Sequence, residues 1–140
     1  MSAEKQLLTE TDVRSWLRDN QPELNLLIKD LEFSPEEILS AMNNTVDYWN
    51  EIPPSIISYK ISNFPHKYHF LMGTCGQLLM MAANRYRRNA LQYQAGGMAV
   101  NDQAKDAVYN NAGVNLWNAF REFVRFKKVE HNMSMGWARI

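Results

Sequence analysis

The chain has a single cysteine, Cys75, among its 140 residues, so it cannot build an internal disulfide framework, and the unpaired thiol fits synthesis in a reducing compartment. Charge of one sign is missing too. Fifteen basic residues balance fifteen acidic ones. Nothing global therefore draws the chain to nucleic acid or to an anionic membrane. No apolar run approaches the roughly 18 to 20 residues needed to cross a bilayer. The opening "MSAEKQLLTETDV" lacks the cationic start, apolar stretch and small-residue site of a secretory signal. A soluble protein is expected. Histidine is scarce as well, with three in the chain, and there is neither an internal repeat nor a low-complexity segment.

What is present is enough apolar surface for one core. Hydrophobic residues make up 46% and charged residues 21%, a globular balance rather than a disordered one. The pattern is helical almost throughout. "TETDVRSWLRDN" offers Thr9 or Thr11 as an N-cap, with Val13, Trp16 and Leu17 on one face, and is expected to stop at Asn20 ahead of Pro22. In "LNLLIKDLEFS" the crowded leucines fit a buried strand or a short helix equally, which leaves residues 22–33 open. "SPEE" is the clearest start signal. Ser34 caps, Pro35 takes the first helical position and Glu37 completes a capping box. Ile38, Leu39, Met42, Val46 and Trp49 then trace an apolar stripe, and "IPPS" ends it. Residues 52–65 read as a loop containing a β-prone run, Ile56 to Ile61.

Two long helices follow. The first should start near Pro65 and run through Tyr93. Phe70, Leu71, Cys75, Leu78, Leu79, Ala82 and Tyr86 mark one face, while Met72, Met80 and Met81 add apolar surface on others. Such a helix is buried nearly all round. Gly73 and Gly76 cost roughly 1 kcal/mol each against alanine inside a helix, which suggests a close helix crossing there. In "YQAGGMAVND", Gly96 and Gly97 should close this helix, Met98 to Val100 should run extended, and Asn101 or Asp102 should cap the next. That last helix carries Val108, Ala112, Leu116, Ala119, Phe120, Phe123 and Val124 on its stripe. "HNMSMGWARI" has no period and reads as an arm. The expected architecture is all-α: a small bundle over residues 1–130 with two long antiparallel helices, a short extended or hairpin segment, and an extended C-terminal tail over 131–140.

Reactive residue types yield no catalytic constellation. His66 and His69, three apart, could share a helix face, but no cysteine or carboxylate stands at ligand spacing beside them. Cys75 falls on an apolar face, where a free cysteine acts as a small hydrophobe. "AGGMAV" lacks the spacing and lysine of a phosphate loop. Glu36 and Glu37 occupy a first turn, where they complement the helix dipole. The basic runs Arg85 to Asn89 and Arg125 to Lys128 sit near expected helix ends, which fits capping and solvation, or ion pairs with acidic neighbours in an assembly. No enzyme activity, metal or cofactor is expected.

The succession "FSPEEI", "VDYWNEIPPSI", "FPHKYHFLMGTCGQLL", "ANRYRRN" and "YQAGGMAVND" resembles the small virion structural proteins of tailed bacteriophages, in the neck or head-to-tail connector class. The likeness covers about residues 9 to 132, and its most specific parts are "YWNEIPP" and "RYRRNALQYQAGGMAVND". The resemblance implies a mostly helical, non-catalytic adaptor of the virion neck, made in the host cytoplasm. It implies rings, commonly of about twelve copies, between portal protein and tail, close to the DNA in the channel without reading its sequence. Another neck or tail-completion position fits the same pattern. A cytoplasmic helical module that binds a partner through a methionine-rich face is the alternative. Under the adaptor reading, Gly96, Gly97, Met98 and Val100 at the bundle tip and Met133, Met135, Trp137 and Arg139 in the arm are the expected contacts with neighbouring subunits or the portal. Trp137 is their anchor.

Overall fold

A computed structural model of the chain describes residues 7–19, 31–54, 57–95 and 103–137, with side-chain detail over 7–19, 31–54, 57–88 and 106–133. Four helices occur in order: α1 (Glu10–Leu17), α2 (Pro35–Glu51), α3 (Lys67–Ala95) and α4 (Gln103–Trp137). Among the described residues there is no strand. The all-α bundle expected from periodicity is what forms.

α1 starts where a threonine can satisfy its free amides. The Thr9 hydroxyl accepts from the Asp12 amide at 3.2 Å, and the Asp12 carboxylate accepts from the Thr9 amide at 3.0 Å. The helix stops at Leu17 rather than at Asn20, because Arg18 turns into the left-handed region at φ 61°. Its buried face also differs from expectation. Val13 and Arg14 are covered, while Trp16 is exposed. The cause is Asp19. Its carboxylate accepts from Arg14 Nη1 at 3.0 Å and from the amides of Glu32 and Phe33 at 2.7 and 3.0 Å. Arg14 also donates to Glu10 at 2.8 Å, so its charge is neutralised and saturated inside the fold.

In α2 the capping box forms as the sequence signals, with the Ser34 hydroxyl accepting from the Glu37 amide at 3.1 Å. Ile38, Met42, Val46 and Trp49 are buried together with Ala41 and Thr45, but Leu39 points to solvent. One step of 100° carries Leu39 past the edge of the stripe. The expected β-prone run makes no strand over its described part, residues 57–61. Instead the Asn50 side chain clamps Tyr59, donating to its carbonyl and accepting from its amide, both at 2.8 Å. A side-chain amide thus supplies the pairing that a neighbouring strand would give.

α3 and α4 form the body. They run antiparallel, with His69 against Phe123, Gly73 against Phe120, and Arg87 against Asp106. At their crossing, Gly76 faces Gly113. A Cβ on Gly76 would lie 2.8 Å from the Trp117 amide nitrogen and 2.9 Å from the Gly113 carbonyl oxygen. A Cβ on Gly113 would meet Gly76 and Met80 backbone at 2.9 Å. The two backbones touch, so both positions need glycine. Gly73 marks a second close approach, to Thr45 and Phe120. From Phe70 to Ala83 no residue of α3 is exposed, as expected of a helix packed on every side.

Two expectations about ends change. Residues 131–137 continue α4 instead of forming an aperiodic arm, since each added residue gains a backbone bond until a breaker intervenes. The basic runs at 85–89 and 125–128 therefore lie inside helices, more than a turn from their last residues. The proposed cap and extended segment at 96–102, and residues 138–140, fall outside the described residues.

Candidate functional site

The zero net charge conceals a division. Eleven of the fifteen acidic residues precede Ile52, and eleven of the fifteen basic residues follow Glu51. Part of this imbalance is spent on folding. Lys67 meets Asp12 at 3.3 Å, and Arg85 pairs with Glu37 while donating to the Glu32 carbonyl at 3.1 Å. Tyr86 and Tyr109, stacked at 5.5 Å, both donate to the Glu32 carboxylate, at 2.6 and 3.5 Å. Burial first, and then the Glu32 charge, push both phenols upward in pKa. They are fastening groups, not acids or bases poised near neutral pH.

Four more cations, Arg121, Arg125, Lys127 and Lys128, lie on α4 and flank the end of α2. Here two hollows open. One, of about 410 Å³, lies between Tyr48, Ile52, Arg121 and Arg125, with Arg121 donating to the Tyr48 hydroxyl at 3.3 Å. The other, of about 170 Å³, has Trp49, Tyr59 and His66 on one side and Lys127, Lys128 and His131 on the other. Pro54 and Ile57 close its rim. Lys128 is only 5% exposed. Its ammonium donates to the Pro54 carbonyl at 3.1 Å and lies 4.7 Å from the centre of the Trp49 ring. Desolvation lowers its pKa.

His66 and His69 both pack against one aromatic ring. The His69 ring stacks on Phe123 at 3.5 Å with 7° between planes, and His66 packs edge-on against the same phenylalanine at 5.0 Å. Among the described residues no group of three histidine, cysteine, aspartate or glutamate side chains is placed to hold an ion. Burial raises the Cys75 thiol to about 12, which removes the thiolate that reactivity requires.

A third feature lies on the outside of α4. Val108, Phe126 and Met133 are 67, 66 and 58% exposed, and Val129 is exposed between the last two. Their spacing returns them to one side of the helix, opposite the buried Phe120, Val124 and Lys128. Val108 and Ala112, expected in the core stripe, are thus on the solvent side. Of the contact residues expected from sequence, Met133 belongs to this outer line. Met135 and Trp137 lie on the last turns of α4 with side chains outside the described set, and Gly96, Gly97, Met98, Val100 and Arg139 lie outside the described residues. Sequence reading missed the Lys128 pocket, although an aromatic pair at Trp49 and Tyr59 bracketing two prolines was a visible signal. No helix of the described residues is long and apolar enough to cross a membrane. No protein-family model, curated protein or solved structure matches the chain.

Proposed function

We propose that the protein is a non-enzymatic assembly subunit, a neck or head-to-tail connector component of a tailed-phage virion that works as a ring of identical copies between portal and tail. The observation that carries the assembly role is the uncovered apolar patch of Phe126, Val129 and Met133 toward the end of a 35-residue helix, with Val108 exposed on the same side nearer its start. Large apolar side chains aligned on a helix and open to water mark a contact surface. Each buried on assembly is worth about 1.5 to 3 kcal/mol, and a closed ring repeats the gain at every subunit. The position at the phage neck rests on the resemblance through "YWNEIPP" and "RYRRNALQYQAGGMAVND".

Function in this reading is geometric. α3 and α4 supply a stiff rod about 50 Å long at 1.5 Å per residue, and the outer line of α4 joins rod to rod. The alternative of a methionine-faced binding module finds less support. Met72, Met80 and Met81 are all partly covered within the bundle, and Met80 packs on Gly113. The test is native mass spectrometry and negative-stain imaging of the purified chain, alone and with portal protein. Rings or a portal complex are expected, and a monomer that joins neither would overturn the reading.

A further inference from the structure

We propose that the hollow between the end of α2 and α4 is a binding site for a phosphate group, with Lys128 as its buried anchor. The reasoning starts from an imbalance. Lys128 is covered on all but 5% of its surface, yet no carboxylate among the described residues meets it; a carbonyl oxygen and the face of an indole are its partners. A buried ammonium without a counter-ion costs several kcal/mol in a low-dielectric surround. An ammonium has three donors, and the Pro54 carbonyl takes one. An anion entering the hollow would complete the set.

The surroundings select the anion's chemistry. Lys127 and His131 stand on the same wall of α4, and His66 faces them across the cavity. Among the described residues no aspartate or glutamate lines it. Glu130, between Lys128 and His131 in sequence, meets Lys127 at 3.7 Å, a loose pair between partly exposed groups. Two ammoniums with the His131 imidazole beside them suit a ligand of up to two negative charges and several acceptor oxygens, which is phosphate rather than a carboxylate. The volume, about 170 Å³, holds one such group with a few waters at about 30 Å³ each. The source of the group can be free phosphate or the backbone of a nucleic acid, and the chemistry is shared. This site is independent of the ring reading, since it needs one copy of the chain.

Calorimetric titration of the full chain with sodium phosphate at constant ionic strength tests the proposal, with sodium acetate and a short single-stranded oligodeoxynucleotide as parallel arms. Saturable phosphate binding with a dissociation constant below about 1 mM is expected. Lys128→Met should weaken it at least tenfold and Lys127→Gln several-fold, while Arg88→Gln, exposed on α3, should leave it unchanged. Circular dichroism checks each variant, and Lys127→Gln decides should Lys128→Met not fold. Oligonucleotide binding tighter than phosphate and equally sensitive to these lysines assigns the group to a nucleic-acid backbone; phosphate binding alone assigns it to a small phosphate. Absence of saturable binding in both arms, acetate binding as tight as phosphate, or indifference to both lysine substitutions would overturn it.

Discussion

The two faces of α4 obey different rules. Inward, around Gly113, the helix has given up side chains so that its backbone can touch α3, and the neighbouring Phe120 and Val124 are fully covered. Outward, Val108, Phe126, Val129 and Met133 stand in water with nothing among the described residues over them. The inner face has no slack, and the outer face has no partner. A helix of this length needs only the first to fold, so the second is available for contacts between chains.

Substitutions can separate the two faces. Gly113→Val should have the largest effect, since its side chain would meet the Gly76 carbonyl and Met80 backbone; overpacking of this kind costs about 3 kcal/mol, readable as a lower urea midpoint. Next, Thr74→Val on α3 should stabilise the core by about 1 kcal/mol, because the buried Thr74 hydroxyl meets no hydrogen-bond partner among the described residues. The same urea series reads it. The double variant Phe126→Ser, Val129→Ser should change monomer stability by no more than about 0.5 kcal/mol, as expected of exposed positions. A large loss there would mean that the outer line belongs to the core.

The smallest effect should come from pH. Burial, and then the charge of Lys127, hold His69 below its ordinary pKa. The folded chain therefore disfavours the imidazolium, so the contribution is complete above pH 6.5 and is lost as pH falls from there through the lowered folded value. His69→Gln should flatten that part of the stability profile, measured by urea unfolding at pH 7.5 and at successively lower pH down to about 5.

How much of this was legible follows how local each signal is. The Ser34 capping box depends on four adjacent residues, and it forms. Gly73 and Gly76 announced a close crossing because glycine is costly in a helix; Gly113, in "NNAGVN", did not, since its value appears only once α3 is opposite it. Lys128 was expected among capping, solvated or ion-paired charges and Arg14 had no assigned role, yet both are buried. Their partners explain why. Asp19 comes after a helix end that periodicity placed too late, and the Pro54 carbonyl belongs to a loop whose path no pattern encodes. The end of α4 was hidden for another reason: "HNMSMGW" has no apolar period, yet an established helix propagates through any residue that does not break it.

The central claim is that the inner face of α4 makes the fold and the outer face makes the assembly. Sedimentation velocity over a concentration series, on the wild-type chain and on Phe126→Ser, Val129→Ser, tests it most directly. The account predicts a discrete closed oligomer for the wild type and a monomer with unchanged helical circular dichroism for the variant. A wild type that stays monomeric throughout the series, or a variant that assembles equally well, would contradict it.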